Sequence, residues 1–103
     1  MLKFHRKSNK VFDELVVRSL NSSISFIDDA IENNEFSALK IIFGEDTIGK
    51  DIIGAEKLLE ILKDLLKKHN SEKIFRPTTE EFRLLSMSMK DYCATIINDW
   101  LHP

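Results

Sequence analysis

Cys93 is the lone thiol among 103 residues. A thiol attacks only as a thiolate, which needs a neighbouring cation or base. The sequence instead sets it between Met89 and Ile96-Ile97, on an apolar helical stripe where a thiol behaves as a small hydrophobe. A core position is expected for it, and for Met87, Met89, Tyr92 and Trp100 on the same segment. Trp100, lying close to the segment's end, is a contact residue if it is exposed, because tryptophan is enriched at binding hot spots. His5, His69 and His102 are far apart, and Cys93 has no Cys or His three or four residues on, so no metal site is expected. Gly44, Gly49 and Gly54 lack the spacing of a phosphate-binding loop.

Paired carboxylates are the remaining chemistry, since acid–base catalysis often uses them. Glu80-Glu81 follows Thr78-Thr79 and reads as a capping box, with Thr78 at the N-cap and Glu81 at N3. Asp28 and Glu32 are four apart and share a helix face, with Asp29 beside them and Glu35 a turn further on. Like charges at that spacing cost a few tenths of a kcal/mol. The plain reading is a solvated face; the sharper one is an acidic surface that meets a basic partner. No nucleophile–base or metal constellation can be assembled, so the chain is expected not to be an enzyme and to need no cofactor.

Four helical segments are expected to position these residues. From Phe12 through Leu15, Val16, Leu20, Ile24, Ile27 and Ile31 the apolar spacing is helical, without Gly or Pro over 9–35. Ser8 is a candidate N-cap. Asn21-Ser22-Ser23 is the weak point, because these side chains compete for backbone hydrogen bonds; one long helix is the primary reading and two helices broken there the alternative. Asn33-Asn34 is a plausible terminator. The apolar run 36–43, followed by Gly44, suits a short helix with Gly44 at C′; a strand there has no evident partner. Asp51 can cap a helix to about His69, striped with Ile52, Ala55, Leu58, Leu59, Leu62, Leu65 and Leu66. Residues 71–77 connect. The last helix carries Phe82, Leu85, Met89, Tyr92, Cys93, Ile96, Ile97 and Trp100 on one side and ends near Leu101. Three long helices and one short one imply a single all-α domain over 1–103, a small bundle, with 1–8 as a flexible basic arm.

Composition agrees. Three glycines and two prolines argue against a turn-rich β-sandwich, and a chain this long buries about 60–70% of its unfolded surface without disulfides. The net charge of −2 is too small for wholesale nucleic-acid binding. Lys3, His5, Arg6, Lys7 and Lys10 form a basic start, and Lys63, Lys67, Lys68 and Lys73 a weaker cluster, but no basic recognition helix follows a tight turn, and no direct nucleic-acid contact is expected. Residues 21–55 stand out, with seven acids against Lys40 and Lys50. The basic start lacks the apolar stretch of a secretory signal, no apolar run is long enough to span a membrane, and a single cysteine demands no oxidising compartment; a cytoplasmic location is the expectation.

A short helical chain without catalytic residues, an acidic block Asp28-Asp29, Glu32, Glu35, Glu45-Asp46, and a final helix capped from Thr78 together resemble the small helical immunity proteins that bacteria make against their own toxins, including those of contact-dependent growth inhibition. The resemblance is one of class, carried by no single motif. It implies a cytoplasmic toxin inhibitor whose partner is a basic toxin domain, such as a nuclease with a cationic cleft. The partner-binding residues are then expected among Asp28, Asp29, Glu32, Glu35, Glu45 and Asp46. A helical adaptor or homodimeric assembly subunit, using the apolar stripe of the last helix, is the alternative.

Overall fold

The structure, a computed structural model, describes residues 4–5, 10–44, 52–72 and 74–102. Four helices make up nearly all of these: α1 (Lys10–Glu32), α2 (Phe36–Phe43), α3 (Ile52–Ser71) and α4 (Thr79–Leu101). The all-α class and the pattern of three long helices with one short one are as the apolar spacing predicts. Ser8, Glu45, Asp46, Gly49 and Asp51 lie outside the described residues, and so do the cap and loop expected there.

α1 is continuous through Asn21-Ser22-Ser23, so the one-helix reading holds. The serines that weaken it locally are used at a helix crossing. Ser88 of α4 donates its hydroxyl to the Ser19 carbonyl (3.0 Å). Its single proton being committed, the 2.6 Å contact between Ser23 Oγ and Ser88 Oγ has Ser23 as the donor. Ser19, Ser23 and Ser88 are all buried, and their small side chains suit close approach of the two helices. α1 ends where Asn33-Asn34 predicts: Asn34 takes φ 57°, the Glu35 N–H reaches the Ala30 carbonyl (2.8 Å), and the Asn34 N–H faces that of Ile31 (3.4 Å). This is the paired closure of a Schellman turn. Gly44 is the cap of α2 itself rather than the residue after it; its N–H bonds the Lys40 carbonyl, and its φ of 87° disfavours any residue with a Cβ.

The core runs along α1 (Val16, Leu20, Ile27), α2 (Leu39, Phe43), α3 (Ala55, Leu58, Leu62, Leu65) and α4 (Leu84, Leu85). α1 packs against each of the other three helices. The Cα trace is only 20 Å deep in its thinnest direction, about two helix diameters, so the bundle is two layers thick. α3 extends two residues past His69 to Ser71, whose hydroxyl bonds the Lys67 carbonyl (2.8 Å). The connector after it contains a feature that residue patterning did not reveal. Ile74–Phe75 (β2) pairs antiparallel with Phe4–His5 (β1), Phe4 opposite Phe75 and His5 opposite Ile74.

The capping box of α4 forms as its sequence requires. The Glu81 N–H donates to Thr78 Oγ1 (3.1 Å) and the Thr78 N–H to Glu81 Oε1 (2.9 Å). Glu81 Oε2 also accepts from Lys68 Nζ (3.0 Å), tying the start of α4 to the end of α3. Burial pushes the Glu81 carboxyl up, but the Thr78 backbone N–H and the Lys68 ammonium outweigh it and hold the group below its usual 4.5. A carboxylate depressed in the folded state contributes stability that is complete above its unfolded pKa and is lost as pH falls through the folded one. The melting temperature is therefore expected to fall on acidification below about pH 4.5, and Glu81→Gln to flatten that fall; thermal melts between pH 3 and 7 check it.

Candidate functional site

Two places bring together groups able to do something beyond packing. At one end of the bundle, Asp13 in the first turn of α1 lies 3.0 Å from Nε2 of His69 near the end of α3. Sequence spacing placed His69 beyond the leucine stripe, yet its ring has no exposed surface, is stacked edge-on to Phe75 (centroids 5.0 Å apart, planes at 88°), and continues the line Leu58, Leu62, Leu65. An ionised carboxylate only accepts, so Nε2 carries the proton and donates to Asp13. The pair resembles a base and its orienting acid. Among the described residues, however, Nδ1 is buried without a hydrogen-bond partner, and no group of His, Cys, Asp and Glu is arranged to hold a metal. The arrangement joins α1 to α3 and gives no described nucleophile a base.

Glu80-Glu81 is likewise engaged. Glu80 forms a two-point ion pair with Arg83 (2.6 and 3.0 Å), whose hydrogen bond holds it below the usual carboxylate value. Cys93 is half-buried rather than fully enclosed.

The second place is the far end. The first turns of α1 and α4 both meet the C-terminal end of α3, through Asp13–His69 and Glu81–Lys68, and the helices cross at Ser19, Ser23 and Ser88. Beyond that crossing each helix runs on to its own C-terminal end. There α1 presents Asp28, Asp29 and Glu32, with Glu35 after the turn, all exposed and none in an ion pair among the described residues. Asp28, Asp29 and Glu32 occupy the last turns of a helix that has no basic residue in its final turn, whereas Glu35 is the N-cap of α2. A helix C-terminus carries partial negative charge, so acids there are unfavourable by a few tenths of a kcal/mol each. Of the six acids expected to form the surface, the structure brings these four together; Glu45 and Asp46 lie outside the described residues.

α4 departs most from its sequence expectation here. Its buried residues are Glu81, Leu84, Leu85 and Ser88. At about 100° per residue, that face continues into Tyr92, Thr95 and Asp99. The stripe of Ile96, Ile97 and Trp100 is centred about a third of a turn away from it. From Ala94 to His102 every residue is exposed, including Ile97 (58%), Trp100 (85%) and Leu101 (68%). The expectation of Trp100 as core is thus overturned: the apolar spacing is real, but it does not point at this bundle. Asp91, half-buried on the core side of α4 and away from the stripe, is pushed up by burial, with no cation paired to it among the described residues.

No helix among the described residues is long and apolar enough to cross a membrane. Comparison with protein-family models, with curated proteins and with solved structures finds no match to this chain.

Proposed function

We propose that this chain acts by binding, as an inhibitor of the immunity-protein kind that docks its acidic end onto a basic toxin domain, such as a nuclease, in the cytoplasm. The observation that carries the reading is the exposed set Asp28, Asp29 and Glu32 in the last turns of α1, with Glu35 exposed just beyond it at the start of α2. A helix stop under selection for stability alone favours Lys or Arg there. Acids kept against that preference suit a surface that steers onto a cationic cleft, accelerating association and blocking the substrate path.

The test is a pull-down with this chain from its source cell that identifies the bound protein, followed by an assay of that protein's toxicity with and without the chain. Adding the chain is expected to suppress the toxin's activity. The double reversal Asp28→Lys/Glu32→Lys is expected to weaken binding about tenfold and to reduce its salt dependence, with no loss of melting temperature. Unchanged affinity and unchanged salt dependence in the reversal would refute the acidic surface. A helical adaptor or homodimeric subunit is the second reading, favoured by the exposure of Ile97, Trp100 and Leu101. Sedimentation decides between them, because a tight dimer that shields Trp100 belongs to that reading alone.

A further inference from the structure

We draw no further inference here: the strongest candidate, the exposed apolar surface patch of Ile96, Ile97, Trp100 and Leu101 on the last turns of α4, carries nothing because no observation in the structure shows what covers it.

Discussion

Phe75→Ala is expected to destabilise the fold by about 3–5 kcal/mol, the largest effect of any substitution considered for this chain. Phe75 comes from the connector between α3 and α4, yet it has no exposed surface and packs edge-on against the buried ring of His69. Truncating it removes the aromatic partner of His69 and leaves a cavity where α3 turns toward α4; the surrounding helices cannot close that space without moving the β1–β2 pairing, in which Phe75 faces Phe4. In a domain of this size about 4–8 °C of melting temperature accompanies each kcal/mol, so a fall on the order of 20 °C is expected by circular dichroism. Trp100→Ala, which deletes a larger side chain, is expected to leave the melting temperature unchanged, because that side chain is 85% exposed. A loss below about 1 kcal/mol for Phe75→Ala would show that the connector is not part of the core.

Asp13→Ala is expected to cost about 1–3 kcal/mol, read from urea denaturation. The substitution leaves His69 in place, buried, with neither ring nitrogen hydrogen-bonded to a described residue, since the Asp13 contact is the one that Nε2 makes and Nδ1 already has none. An unpaired buried polar group bears its full desolvation penalty. Replacing both residues by apolar ones, as Asp13→Leu/His69→Phe, removes the penalty along with the bond and is expected to recover most of the loss. A double-mutant cycle therefore separates a structural pair from a functional one. If the double variant is stable and still binds the partner proposed above, Asp13–His69 is a joint between α1 and α3. Loss of that binding with stability restored would instead assign the pair to function.

How far the fold could be read from the chain depended on how local each determinant was. The capping box lies within Thr78–Glu81, and its bonds form as those four residues predict. The Asn33-Asn34 stop needs a residue that tolerates positive φ, and Asn34 supplies it. The short helix at 36–43 followed from the absence of any strand for it to pair with. By contrast, Asp13 and His69 are 56 positions apart. The spacing of 58, 62 and 65 does continue to 69, but the stripe as read from the sequence ends at Leu66, which indicates neither the burial of His69 nor its partner. The antiparallel pairing of 4–5 with 74–75 joins two very short segments, too short for period-two alternation to register.

The acidic end was legible in part. Four of its acids fall on one stretch of α1 and its turn, where spacing alone places them together. That they stand beyond the Ser19–Ser23–Ser88 crossing, exposed and without an ion pair among the described residues, required the structure. The last helix teaches the same division more sharply. Periodicity correctly indicated that Ile96, Ile97 and Trp100 share a face, and nothing in the spacing distinguishes a stripe turned inward from one turned outward.

What the sequence by itself determined is therefore the set of helices, the stop at Asn34, the cap at Thr78, and which residues share a face, because hydrogen bonding and side-chain period act within a few residues. The tertiary structure decided which face is buried. On α4 that choice fell to Leu84, Leu85 and Ser88, because the serines of α1 let the two helices approach there and the bundle ends soon after. The strongest apolar stripe of the final turns was left outside the core for that reason.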